Sequence, residues 1–296
     1  MKPTPFKYLS PVSIKEALGS KEQHGDSAKL LAGGQSLIPA MNFRVAQPEI
    51  LIDLNKISDL DYIREDNGEV FIGAMTRQST VEKSSLINEH APLIHETMPN
   101  IAHPQIRNRG TFGGSLAHAD PASELPVIAL ALDARFKVKS ASGERWIKTK
   151  DFYLGYFEIA LQPDEMLVEI AFPSFPEYAG WSFMEIARRK GDYAMAGVAA
   201  LITLSIDGVC ENARLVYLNV GDGPVDAVES VEMLKGYKLD AKTINSAANH
   251  ASKKEMEPIG NMHASADYQR HLSRVLTVRA LEKAHNRAKS RLEIQS

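Results

Sequence analysis

Two pairs of adjacent glycines, each followed by a helix-like run, constrain this chain more than any other feature. The first lies in Ala32-Gly33-Gly34-Gln35-Ser36, after a short strand predicted at Lys29–Leu31 and before a helix-like Leu37–Arg44. The second lies in Thr111-Phe112-Gly113-Gly114-Ser115, ahead of Pro121–Leu132, whose apolar spacing is helical. Successive glycines clear side chains from such a turn, so backbone N–H groups converge without obstruction into a nest for phosphate oxygens. Two such turns suit a diphosphate, although a paired glycine by itself serves equally well as an ordinary turn. At least one of Gly113 and Gly114 is expected at positive φ. Neither segment carries the lysine of a P-loop, and G-x-G-x-x-G is absent, so the P-loop and Rossmann folds lack their fingerprints.

The rest of the pattern alternates strand and helix. Ser10-Pro11-Val12 with Ile14, Ala17 and Leu18 reads as an amphipathic helix capped near Ser10, and Ile50–Leu54 as a buried strand, making Lys29–Leu54 a β-loop-α-β unit. A strand at Glu69–Ala74 precedes Thr76, Ser79 and Thr80, candidate caps for a helix from about Val81, and Arg135–Lys139 and Met166–Phe172 are strands. Pro173, Pro176 and Gly180 then punctuate the chain and mark the best domain boundary. Beyond it, strands are predicted at Trp181–Arg188, Gly197–Ile206 and Arg214–Val220, and helices at Ala241–Lys253 and Ala266–Leu292. The last helix carries many cations around its apolar stripe, read as a solvated or partner-facing surface.

Composition narrows the chemistry. A net charge of −3 over 296 residues gives no global field for nucleic acid or an anionic membrane. One cysteine, Cys210, makes no intramolecular disulfide and cannot hold an iron–sulfur cluster, so cluster chemistry belongs on another chain. No apolar run approaches the roughly 20 residues that span a bilayer, and the N-terminus lacks the apolar core of a signal peptide, so a cytoplasmic location is expected. His103 and His118 flank the second glycine segment without the spacing of a metal site, and no metal is expected on this chain. Asp120 and Glu124, four apart, read either as a carboxylate pair or as charge favoured at a helix N-terminus.

Three segments carry a family likeness. Ala32-Gly33-Gly34-Gln35-Ser36-Leu37-Ile38-Pro39, with Arg44, Pro48 and Leu51-Ile52-Asp53-Leu54, resembles the first FAD-contacting segment of the molybdenum hydroxylase flavoproteins. That family includes the medium subunits of carbon monoxide and nicotine dehydrogenases and the central domain of xanthine dehydrogenase. Ile106-Arg107-Asn108, Gly110–Ser115 and Asp120-Pro121-Ala122-Ser123-Glu124 resemble its second motif, with Phe112 where an aliphatic residue is common and Ser115 where asparagine is. Arg188-Arg189-Lys190-Gly191-Asp192-Tyr193-Ala194 resembles the segment that approaches the flavin ring. The likeness runs through essentially the whole chain, in order.

The resemblance implies an α+β fold: an FAD-binding domain of the vanillyl-alcohol-oxidase type at 1–176, with α/β subdomains near 1–56 and 57–176, and a smaller α+β domain at 177–296. It implies FAD in the cleft between them, held by Lys29, Leu30, Leu31, Ala32, Gly33, Gly34, Gln35 and Ser36 and by Thr111, Phe112, Gly113, Gly114 and Ser115. The hydroxyls of Thr111 and Ser115 would reach the diphosphate, Glu124 would meet ribityl or ribose hydroxyls, and Lys190 and Tyr193 would lie near the isoalloxazine. No catalytic residue is assigned. Molybdopterin on a large subunit and [2Fe-2S] clusters on a small one are implied, in a dimer of heterotrimers that passes electrons through this chain to an external acceptor. The substrate would be an N-heteroaromatic or nicotine-derived compound. A free-standing flavin oxidase or dehydrogenase is the alternative, and a nucleotide-binding interaction module a third reading.

Overall fold

The computed structural model describes residues 2–295, and its first sheet is parallel. Lys7–Leu9 and Ala28–Leu31 flank Ile50–Asp53. The central strand is the apolar run Ile50-Leu51-Ile52, buried as parallel strands are. The β-loop-α-β reading therefore holds, with helix Leu37–Asn42 as the crossover. The preceding helix spans Ile14–His24 and is capped at Ser13, whose hydroxyl accepts the Glu16 N–H at 3.2 Å. The cap falls at Ser13 rather than Ser10 because Ser13 is the extended residue at the entry, with φ −142° and ψ 155°.

A five-stranded antiparallel sheet follows, in the order Ile63–Asp66, Glu69–Gly73, Met166–Phe172, Arg135–Lys139, Glu144–Lys148. Met166–Phe172 is its centre and is buried along its whole length. The edge strands Ile63–Asp66 and Glu144–Lys148 escaped the sequence reading because they are mostly polar and exposed. Helix Gln78–Lys83 starts earlier than predicted, and Thr76 is no cap: its hydroxyl donates to Tyr62 O at 2.9 Å and accepts the Tyr62 N–H at 3.1 Å.

The third sheet is antiparallel: Ala179–Ala187, Ala194–Leu204, Cys210–Leu218 and Val225–Asp226. One face carries helices Ala241–Lys254 and Ala266–Gln295. Its other face shares a core with the five-stranded sheet, and between them lies helix Glu124–Ala131, all eight of whose residues are buried. A helix apolar all round needs cover on every side, and two sheets provide it. Gly180 is no punctuation mark. It sits inside the strand Ala179–Ala187, and a side chain there would run into Ala284 O and lie 2.4 Å or less from the backbone of the final helix.

That helix is less solvated than its charge implied. Lys283 and Arg287 pair with Glu96 on helix Pro92–Thr97, Lys283 at 2.8 Å, and the Phe183 N–H donates to the same carboxylate at 3.3 Å. Burial opposes ionisation of Glu96, but the two cations outweigh it and hold the carboxyl below its usual range. These contacts lock the final helix onto the earlier half of the chain.

Candidate functional site

The first glycine segment is a bare turn between a strand and a helix. Gly34 has φ +72°, and a Cβ there would stand 3.2 Å from both Ile38 Cγ1 and Leu31 Cδ1. At Gly33 a Cβ would strike Arg109 O and lie 2.7 Å from Gly110 Cα, so the two motif regions touch backbone to backbone. Among the described residues, the N–H groups of Gly33, Gly34, Gln35 and Ser36 donate to no protein acceptor. Gln35 turns its amide back onto Gly33 O at 3.0 Å, which stiffens the turn. Beside it opens a cavity of about 470 Å³, lined by Leu31, Ala32, Asn42, Asp53, Asn55 and Arg109 with the glycines. Of the predicted residues before the turn, Lys29 is exposed and Leu30 packs against the core of the first sheet, so only Leu31 reaches this cavity.

Several polar residues of this cavity carried no prior assignment. Asn55 donates to Ala32 O at 2.9 Å and its backbone N–H to Asp53 Oδ1 at 2.9 Å. Arg77 bridges Asn55 Oδ1 and Arg109 O, and Tyr8 donates to Asp53. Burial opposes the charge on Asp53, yet hydrogen bonds from Tyr8 and Asn55 and the nearby Arg77 hold its carboxyl below the usual range. Burial also depresses Arg77, with the Arg109 charge adding repulsion. Asp53 was visible in the motif; Asn55, Arg77 and Arg109 gave no local signal, because they meet across 22 to 32 positions of chain.

The second segment is built differently. Phe112–His118 is a helix, with Thr111 as its N-cap accepting the Gly114 N–H at 3.2 Å. Gly113 and Gly114 therefore have ordinary helical φ, against the expectation that one would be positive. The glycines answer a packing need. A Cβ at Gly113 would stand 2.6 Å from Ala74 Cβ and 2.8 Å from Ala74 O, and one at Gly114 would lie 2.5 Å from Thr111 Oγ1 and 3.3 Å from Ala32 Cβ. The amides here are occupied: Phe112 donates to Thr76 O at 2.8 Å, Gly113 to Ala74 O at 2.9 Å, Ser115 to Thr111 O at 3.2 Å. Phe112 is in the core, edge-on to Phe172, and Thr111 is buried. The Ser115 hydroxyl is hydrogen-bonded to that of Ser123 at 3.1 Å, which ties this helix to the turn before Glu124.

Helix Glu124–Ala131 begins later than Pro121 because Asp120 folds the entry into a turn, accepting the Ala122 N–H at 2.9 Å. Glu124 is 7% exposed, and burial pushes its carboxyl up to about 7, with the Asp120 charge adding to the effect. Desolvation thus outweighs the helix dipole at this position. Opposite stands the hairpin of the third sheet. Lys190 and Tyr193 are exposed on its tip, Tyr193 at 71%. Burial around the phenol root and the Asp120 and Glu124 carboxylates still raise the Tyr193 hydroxyl. Gly191, at φ +88°, lies over His103, where a Cβ would stand 2.5 Å from Nδ1. Asn219 closes the seam: its N–H donates to Pro121 O at 2.8 Å and its side chain to Ala194 O at 2.6 Å. All three motif regions are therefore joined in one seam, at Gly33 to Arg109, at Ser115 to Ser123, and at Asn219 to Pro121 and Ala194.

Among the described residues no group of three histidines, cysteines or acids could hold a metal ion, and no helix is long and apolar enough to cross a membrane. His118 packs on the Phe157 ring, with centroids 5.1 Å apart.

Comparison with known proteins gives the class of protein this architecture belongs to. Residues 4–175 match the model of the FAD binding domain in molybdopterin dehydrogenase, and residues 181–284 that of the CO dehydrogenase flavoprotein C-terminal domain. The chain belongs to this family: it is the FAD-binding medium subunit of a multi-subunit oxidoreductase of the molybdenum hydroxylase class. It is 41% identical over 289 residues to the 6-hydroxypseudooxynicotine dehydrogenase complex subunit alpha of Paenarthrobacter nicotinovorans, covering 98% of this chain and 97% of that one. It is 36% identical to the carbon monoxide dehydrogenase medium chain of Hydrogenophaga pseudoflava, covering 96% and 98%. A structure of carbon monoxide dehydrogenase from Hydrogenophaga pseudoflava, which lacks the Mo-pyranopterin moiety of the molybdenum cofactor, superposes with a TM-score of 0.94 at 37% identity over 97% of this chain and 99% of that one.

Proposed function

We propose that FAD binds along the seam described above, and that the chain relays electrons from an iron–sulfur subunit to an external acceptor. The observation that carries the placement is the row of four backbone N–H groups, Gly33 to Ser36, without a protein acceptor among the described residues. Gly33, Gly34 and Gln35 are half-buried and Ser36 is exposed, and this row fits diphosphate oxygens, with Arg109 lining the same cavity and Arg77 bonded to Arg109 O. Lys29, Leu30, Leu31, Ala32 and Gln35 shape that turn. Thr111, Phe112, Gly113, Gly114 and Ser115 form the wall it rests on, with Gly114 and Ser115 nearest the seam. Glu124 fits a cofactor hydroxyl, and the exposed ring of Tyr193, with Lys190 beside it, fits the edge or face of an isoalloxazine. Bound there, FAD supplies a carrier that takes electrons singly and releases them as a pair.

On this reading 1–176 forms the FAD-binding domain, with subdomains near 1–56 and 57–176, and 177–296 the smaller domain. A large molybdopterin subunit and a small [2Fe-2S] subunit complete a heterotrimer that pairs into a dimer, in the cytoplasm. The likeness to a 6-hydroxypseudooxynicotine dehydrogenase subunit favours a nicotine-derived or other N-heteroaromatic substrate, which would be chosen by the large subunit. A free-standing oxidase is disfavoured by the likeness over the whole chain to subunits of multi-subunit dehydrogenases. The test is reconstitution. Substrate should bleach the flavin absorbance only when both partners are present, and the chain alone should bind FAD without turning substrate over. Bleaching that persists when the cluster-bearing subunit is omitted would overturn the relay.

A further inference from the structure

Arg77 stands at the entry to helix Gln78–Lys83, in extended backbone at φ −66° and ψ 139°, and pairs with Thr111 in an isolated antiparallel bridge. On either side the same two stretches are laced together, Phe112 donating to Thr76 O at 2.8 Å and Gln78 to Gly110 O at 2.9 Å. The backbone of Arg77 is therefore fixed to the second glycine segment. Its side chain reaches elsewhere: one terminal nitrogen donates to Arg109 O and the other to Asn55 Oδ1. Among the described residues Arg77 is the donor that each of these oxygens receives.

Both acceptors belong to residues that touch the first glycine segment. Asn55 follows the central strand Ile50–Asp53 of the parallel sheet, and its side-chain amide donates to Ala32 O at 2.9 Å. Arg109 O is the atom a Cβ on Gly33 would strike, with Gly110 Cα 2.7 Å from the same point. Ala32 and Gly33 are thus flanked by one group from the parallel sheet and one from the approach to the helix Phe112–His118, and the guanidinium joins those two. Asn55 and Arg109 line the cavity beside the turn, whereas Arg77 is not among its lining residues.

We propose that Arg77 is a positioning residue for FAD: its guanidinium clamps Asn55 to Arg109 and so holds the turn Gly33–Ser36 in the form whose amides meet the diphosphate. The proposal rests on the placement of FAD argued above. Without the clamp, Asn55 Oδ1 and Arg109 O both lose their donor, Asn55 is free to turn away from Ala32 O, and the turn loses its support on the sheet side. A lysine cannot do the same, because an ammonium acts as a point donor while the planar fork presents two nitrogens to two acceptors at once.

Equilibrium titrations of the full chain with FAD, followed by flavin fluorescence, test this. Arg77→Ala should weaken FAD by about thirtyfold, since two hydrogen bonds from a charged donor are lost, and Arg77→Lys by about fivefold to tenfold, since one can be remade. About 10 mM guanidinium chloride should recover most of the Arg77→Ala loss, because the free ion carries the same fork, and should leave the parent and Gly34→Ala unmoved. When Asn55→Ala is combined with Arg77→Ala, the two losses should fall short of multiplying by at least about fivefold, because either change removes the same bond. If FAD binds Arg77→Ala within about threefold of the parent while Gly34→Ala binds it weakly, the positioning role is overturned and the placement stands. Losses that multiply, or a loss that guanidinium does not reverse, show a fold weakened at large and overturn the role as well. Should Arg77→Ala not fold, Arg77→Lys binding as tightly as the parent overturns it alone. Parent-like binding by Gly34→Ala overturns the placement itself.

Discussion

In the segment Ala32–Ser36 the backbone N–H groups of Gly33, Gly34, Gln35 and Ser36 have no protein acceptor among the described residues, while in Phe112–Ser115 each one is taken, by Thr76 O, Ala74 O, Thr111 Oγ1 and Thr111 O in turn. One glycine pair takes a positive φ at Gly34 and opens a turn; the other is helical and lets a helix sit against Ala74. Paired glycines thus record only that a side chain is excluded. Whether a ligand or the protein's own backbone excludes it depends on what stands where the Cβ would be. Around the first pair the amides stay without a protein acceptor among the described residues, while the second packs a helix against Ala74 and Ala32.

Replacing Gly113 by valine should have the largest effect. The side chain would be driven into Ala74, and overpacking of this kind costs about 1–3 kcal/mol or more. At about 2–4 °C per kcal/mol for a domain of 150–250 residues, the melting temperature of the FAD-free chain should drop by roughly 5 °C, with FAD lost as a consequence. An unchanged melting temperature would remove the packing role. Gly34→Ala should come next. A left-handed non-glycine residue costs about 1–2 kcal/mol, and the new methyl also crowds Ile38 and Leu31. Equilibrium titration should show FAD weakened by about tenfold or more, with less loss of FAD-free stability than in Gly113→Val. Equal losses of stability in both would erase the distinction between the segments. Ser115→Ala should weaken FAD by no more than about tenfold, because it deletes one hydrogen bond, to Ser123, worth about 0.5–1.5 kcal/mol net; a larger loss would mean that this hydroxyl touches the cofactor. Smallest of all, Tyr193→Phe should retain FAD and shift its absorbance slightly, since the ring stays in place.

Much of the fold was legible because its signals are local. Ile50-Leu51-Ile52 is wholly apolar and Met166–Phe172 is apolar but for Glu169, and both proved to be buried central strands. Ile63–Asp66 and Glu144–Lys148 were missed because a polar edge strand satisfies no apolar pattern. The seam was legible as three motifs but not as chemistry. Thr111 reads as a ligand hydroxyl, yet it caps its own helix. Arg77, Arg109 and Asn55 meet only through tertiary contact, across 22 to 32 positions of chain. Glu124 illustrates the limit most sharply, since its place at a helix start predicts an ionised carboxylate and its burial raises the pKa to about 7.

Backbone hydrogen exchange, resolved by residue in the FAD-free chain and again with FAD, tests the contrast between the two segments most directly. The account predicts that the amides of Gly33 to Ser36 exchange fast without FAD and become protected when it is added. Those of Phe112 to Ser115, already bonded within the protein, should be slow in both states and change little. If FAD left the amides of 33–36 unprotected, or if its protection fell instead on 112–115, the first segment would not be the cradle of the diphosphate and the assignment would be reversed.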